Sequence, residues 1–200
     1  VNRTNNEWEP AMGSTDPSAF AGWAKRRDEL TDGHFRRVVR LIKYLRDERG
    51  SFDGMKSIVL TTLLGLQVTE DVGLNTTDYR NLPTALLTIV EDLDAWLQVR
   101  PSKPLLVNPS NDGTDFDHRW SEESYTNFRS RTNSIAVSVR TAYGEPDKAK
   151  SIEAWKRLFG DKFDPPPPPV NLAAAVTAVT AVTSASGSRT PRSSRYGRAG

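Results

Sequence analysis

Arg36, Arg40 and Lys43 follow one another at intervals of four and three residues, so a helix through them carries three cations on one face. Lys56 and Ser57 then open a second apolar-periodic segment. This combination suits a phosphate group. Lysine and arginine supply charge for the oxygens, a hydroxyl fixes their orientation, and the first turn of a helix favours an anion. A lysine on one helix and a serine at the start of the next would grip a triphosphate from two sides. The same pattern also reads as a solvated face whose cations pair with acids such as Asp47.

Other chemistries find less support. The chain has no G-x-x-x-x-G-K-[ST] loop, no G-x-G-x-x-G, no G-x-S-x-G elbow and no H-E-x-x-H. With no cysteine and two histidines, disulfides and thiolate metal sites are excluded and a structural zinc site is not expected. His34 follows Asp32-Gly33 where a helix should begin, which marks a capping or surface residue. His118 could pair with Asp117, but no nucleophile stands near it in the sequence. Trp8, Trp23, Trp96, Trp120 and Trp155 read as packing residues, one of the first two facing another lobe.

The elements that must hold these residues are helices. Phe35, Val38, Val39, Ile42 and Leu45 form an amphipathic stripe ending near Gly50. Met55, Ile58, Val59, Leu63 and Leu66 predict a second helix, although the β-branched "SIVLTTLL" also admits a strand. Leu82, Leu86, Ile89, Val90, Leu93 and Trp96 mark a third, with Pro83 in its first turn. Ser121 is a candidate N-cap for a long helix through Tyr125, Phe128, Thr132, Ile135, Val139 and Ala142 to Gly144. Asp147 starts a last one, with Ile152, Trp155 and Phe159, stopped by Gly160. Asp16 and Pro17 predict an earlier helix. With no βαβ alternation, the fold class is all-α, a bundle of five to seven helices.

The chain has 200 residues, 36% of them hydrophobic and 26% charged, with a net charge of +2. That is enough for one domain with a core and a tail. The basicity lies in the tail: removing Arg189, Arg192, Arg195 and Arg198 from the 27 bases leaves 23 against 25 acids. Residues 165–169 are five prolines, followed by an Ala-Val-Thr run and a Ser/Gly/Arg end, the composition of a linker and a disordered tail. No segment approaches the roughly 20 apolar residues that span a bilayer and no signal pattern opens the chain, so a cytoplasmic protein is expected.

Three stretches carry a resemblance. "RVVRLIKYLRDERG…MKSIVLTTLL" resembles the first helices of the C-terminal helical domain of polymerase-β-like nucleotidyltransferases, in particular the bacterial relatives of cyclic GMP-AMP synthase and oligoadenylate synthetase (CD-NTases of the SMODS type). "NEWEPAMGSTDPSAFAGWAKRR" is similar to the segment that crosses from that family's catalytic lobe. "VNPSNDGTDFDHRWSEESYTNFRSRTNSIAVSVRTA" is similar to the stretch before its long helix. The resemblance as a whole spans roughly residues 5 to 163.

The resemblance implies that Lys43 and Ser57 contact the triphosphate of a bound nucleotide, with Arg40 and Arg36 as further candidates. For the whole enzyme it implies magnesium-dependent joining of ribonucleoside triphosphates into a cyclic second messenger, in antiphage defence. Two metal ions would need a Gly-Ser loop and an Asp-x-Asp strand. Gly13-Ser14 has no Asp-x-Asp at the right distance, and Asp115-Phe116-Asp117 has no Gly-Ser upstream. The expectation is therefore a fragment beginning at Val1: residues 1–30 a crossover from a catalytic lobe absent here, 31–163 the helical domain, 164–200 the linker and basic tail. Such a piece holds no magnesium and does not catalyse alone. Its partners would be nucleoside triphosphates, with nucleic acid reached only through the tail. The alternative is a stand-alone helical module for a protein or nucleic-acid partner.

Overall fold

A computed structural model describes residues 16–52, 54–70, 77–110 and 113–161. Trp8, Gly13, Ser14, the proline run and the arginine-bearing tail lie outside them. Six α-helices run in order: α1 Pro17–Leu30, α2 His34–Arg49, α3 Ser57–Gly65, α4 Leu82–Gln98, α5 Glu122–Gly144 and α6 Lys148–Phe159. The described residues contain no strand, only an isolated antiparallel bridge between Val107 and Asp115. The all-α expectation holds, and "SIVLTTLL" is helical.

Local chemistry sets the boundaries. Asp16 caps α1 by accepting from the N–H groups of Ser18 and Ala19, with Pro17 just behind it. Pro83 and the Asn81 side chain start α4, and Ser121 with Ser124 closes a capping box on α5. Gly50, at φ +59°, ends α2 in the left-handed region that glycine occupies without strain.

The turn from α1 to α2 is tighter than its sequence suggests. Gly33 gives α2 no side-chain cap. Thr31, wholly buried, accepts the Phe35 N–H at 2.8 Å while its own hydroxyl reaches the carbonyls of Arg27 and Asp28. Asp28 of α1 accepts the Arg36 N–H at 2.8 Å. Side chains from the preceding helix thus satisfy donors that α2 leaves open.

The core is built where α2, α3, α4 and α5 meet, with α6 packed on α5. Every predicted apolar residue of α2 and α5 is buried, because each helix turns a single face inward. α3 differs from its predicted stripe: Met55 is buried ahead of the helix and Leu66 lies beyond it, 41% exposed. Packed against α1, α2 and α4, α3 buries Val59, Leu60, Thr62, Leu63, Leu64 and Gly65, so no single stripe describes it. At the end of α4 it is Leu97 that is buried, whereas Trp96 is half-buried beneath the Arg100 guanidinium.

Candidate functional site

α2 reaches the start of α3 through Arg46, one turn beyond Lys43. Ser57 is the first residue of α3, and Lys56 before it makes no side-chain capping bond. The first main-chain N–H to find a helical carbonyl is that of Leu60, on Lys56. Among the described residues, the N–H groups of Ser57, Ile58 and Val59 bond no main-chain carbonyl, which leaves partial positive charge at this end.

Arg46 ties this end to α2. Its Nη1 donates to the Met55 carbonyl at 3.2 Å and to Ser57 Oγ at 2.9 Å. Its Nε and Nη2 hold the two carboxylate oxygens of Asp47 at 2.7 and 3.2 Å, and this contact keeps the Asp47 carboxyl below its usual range. Lys43 stands one turn before Arg46. Burial, followed by the positive charge of Arg46, lowers its pKa, and Asp47 only partly offsets this. A half-buried ammonium pressed by a second cation is poised to gain from an arriving anion.

The four predicted binding residues separate accordingly. Ser57 accepts from Arg46, and Lys43, one turn before Arg46 on α2, feels the charge of that same arginine. Arg40 is exposed and forms no ion pair with the described residues. Arg36, two turns from Lys43, is drawn to α1, where its guanidinium meets Asp28 at 3.2 Å. With Lys25, Arg36 also lines a separate cleft of about 250 Å³ walled by Ala21, Ala24, Phe35 and Val39. Asp47 does pair with a cation of α2, but that cation is Arg46, one step of three residues beyond the predicted trio. Helical spacing alone does not single out Arg46; the only hint of it is a second cation three residues beyond Lys43.

The remaining candidates are placed by other contacts. Asp117 is paired with Lys103 rather than His118, and Asp115 accepts the Asp117 N–H at 2.9 Å. Both carboxylates are engaged away from any shared centre, and no group of three His, Asp or Glu that could hold a metal occurs among the described residues. They do not fit a magnesium pair. His34 opens α2 with a buried Nδ1. Trp23 lies against Gly65, Trp120 meets Tyr125 edge-on and Trp155 stacks on Phe159. No helix among the described residues is long and apolar enough to cross a membrane.

No family model matches the sequence. Curated relatives do. The chain is 27% identical over 173 residues to a probable cyclic AMP-AMP-GMP nucleotide synthase of Salmonella paratyphi B, covering 83% of this chain and 42% of that protein. It is 27% identical over 171 residues to the cyclic AMP-AMP-GMP synthase of Enterobacter hormaechei, with the same coverage. Against the cyclic AMP-AMP-AMP synthase of an Acinetobacter species it is 23% identical over 150 residues, 74% of this chain and 43% of that one. The chain thus spans less than half the length of these relatives. Among solved structures, CdnC of E. coli MS115-1 with ATP superimposes with a TM-score of 0.53 at 17% identity, over 72% of this chain and 50% of that one. CdnC in its complex with HORMA-deltaN gives 0.55 at 19%, over 76% and 52%. These two establish the helical fold. With the curated relatives they bear out the resemblance to bacterial CD-NTases.

Proposed function

We propose that this chain is the helical part of a nucleotidyltransferase that makes cyclic oligonucleotide second messengers from nucleoside triphosphates in antiphage defence, and that its own contribution is to hold a triphosphate. The observation that carries the second half is the corner itself: Arg46, whose charge helps to lower the Lys43 pKa, also donates to the hydroxyl of Ser57, the first residue of a helix without a side-chain cap. Lys43 would supply charge to a phosphate oxygen. Ser57 and the first amides of α3 would fix its direction. Arg40 would add long-range attraction, and Arg36, held by Asp28, the least.

On this reading residues 1–30 are the crossover into the helical domain, 31–163 the domain and 164–200 a tail. Magnesium chemistry, which the resemblance implies for the complete enzyme, falls to carboxylates outside the described residues. Support comes from the curated synthases matched across most of this chain.

The test is ATP and GTP binding to the purified chain at low and moderate salt, with Lys43→Glu and Ser57→Ala beside it. Binding that weakens in both variants, and weakens with salt, supports the triphosphate role. Binding indifferent to both substitutions removes it and favours an interaction module.

A further inference from the structure

Three hydroxyls project from α3, and their protons are not equally free. Thr61 donates to the carbonyl of Ser57 at 2.7 Å and Thr62 to that of Ile58 at 2.8 Å, the one-turn-back bond common to helical threonines. Ser57, as first residue of the helix, has no helical carbonyl one turn behind it. Its oxygen instead accepts from Arg46 Nη1 at 2.9 Å.

A serine hydroxyl has two lone pairs and one proton. A guanidinium N–H can take only a lone pair. With Arg46 on one side, the Ser57 hydroxyl is an acceptor toward α2, and its proton is left for another acceptor. Donation from a cation also draws electron density from the oxygen, which makes the remaining O–H a stronger donor.

Arg46 is itself held. Its side chain is only 18% exposed, two of its nitrogens are fixed on Asp47, and the third bonds Met55 and Ser57 together. Four contacts from a planar fork define one orientation. An ammonium, with three donors on a flexible stem, cannot reproduce them.

We propose that Arg46 is a positioning residue of the triphosphate site: it orients the Ser57 hydroxyl so that its proton is presented to a phosphate oxygen beside Lys43. The proposal rests on the triphosphate reading above. Arg46 acts through Ser57 and, being engaged on both flanks, makes no phosphate contact of its own.

A double-mutant cycle on the full 200-residue chain tests it, with inorganic tripolyphosphate as the probe and calorimetry at low salt as the readout. Arg46→Lys preserves the charge and should weaken binding about tenfold, the scale of one charge-assisted hydrogen bond. In a Ser57→Ala background the same change should weaken it less than about twofold, because nothing remains to orient. Arg46→Gln provides a second variant. Thermal melting of each identifies those that fold, and a merely structural role would affect binding equally in both backgrounds. Equal losses with and without Ser57, or no loss from either Arg46 variant, would overturn the positioning role while leaving the triphosphate site standing. Tripolyphosphate binding that is absent, or unchanged by Lys43→Glu and Ser57→Ala, would remove the site and the positioning role together.

Discussion

Asp28 of α1 grips Arg36 of α2 twice, accepting its backbone N–H at 2.8 Å and meeting its guanidinium at 3.2 Å. The first contact is a helix cap supplied from another helix; the second removes one cation from the face that includes Lys43. Asp28→Ala should cost about 1 kcal/mol of stability, the usual loss for an N-cap acceptor. Tripolyphosphate binding should stay unchanged or strengthen slightly as Arg36 is released. Chemical denaturation paired with calorimetry checks both, and a large loss of binding would show that the α1–α2 turn supports the corner more directly than its contacts indicate.

Lys43 should prove costly to the fold and useful to the site. Its pKa is lowered mainly by burial and then by Arg46, so the folded chain binds fewer protons than the unfolded one between that lowered value and the ordinary 10.5. Stability contributed by this group therefore rises as pH climbs through that window. Lys43→Met should melt at or above the wild-type temperature at neutral pH, with the gap closing in alkali. The same substitution should weaken triphosphate binding about tenfold or more. A variant that loses both stability and binding would mean that Lys43 holds the fold rather than the ligand.

Much of this architecture is legible in the sequence, and what escapes shares a cause. The stripes of α2 and α5 can be read residue by residue because each helix meets the core along one face. α3 cannot, since three neighbours bury it nearly all round, and periodicity is informative only where a helix keeps a wet side. Lys43 and Ser57 are marked by residue type and by resemblance. Arg46 is not, because its bond to Ser57 spans eleven residues across a turn, and nothing in helical spacing reports where the returning chain places its first hydroxyl. Asp28 escapes similarly, as one acid in the charged run "AKRRDEL".

Glu70 should give the fold a small sensitivity to acid, small because the pair lies open to solvent. Arg26 binds its Oε2 at 2.8 Å and Arg27 its Oε1 at 3.0 Å, and the Arg26 hydrogen bond is the main reason its carboxyl stays below the ordinary 4.5. A depressed carboxylate contributes stability above its unfolded pKa and loses it as pH falls through the folded value. Glu70→Gln should thus lower the urea midpoint at about pH 6, and by less at about pH 3.5, where protonation has begun to remove the charge from the wild-type side chain as well. A deficit of the same size at both pH values would assign the effect to packing instead of charge.

Two glycines should respond to alanine in opposite directions. A Cβ on Gly65 would lie 2.4 Å from Trp23 Cη2 and 3.1 Å from two further ring carbons, so the indole or the α1–α3 packing would have to shift. Gly65→Ala should destabilise by about 1–3 kcal/mol, the range for overpacking, despite alanine's better helix propensity. Gly22 lies in α1, where an added Cβ would meet nothing within 4 Å, so Gly22→Ala should stabilise by about 0.4–1 kcal/mol through the unfolded chain. Tryptophan emission separates the two mechanisms, because only the Gly65 variant displaces Trp23 from its contact. If both substitutions stabilise, the Trp23–Gly65 contact is too soft to fix α1 on α3, and the α1–α2 turn alone must set the angle at which α1 leaves the core.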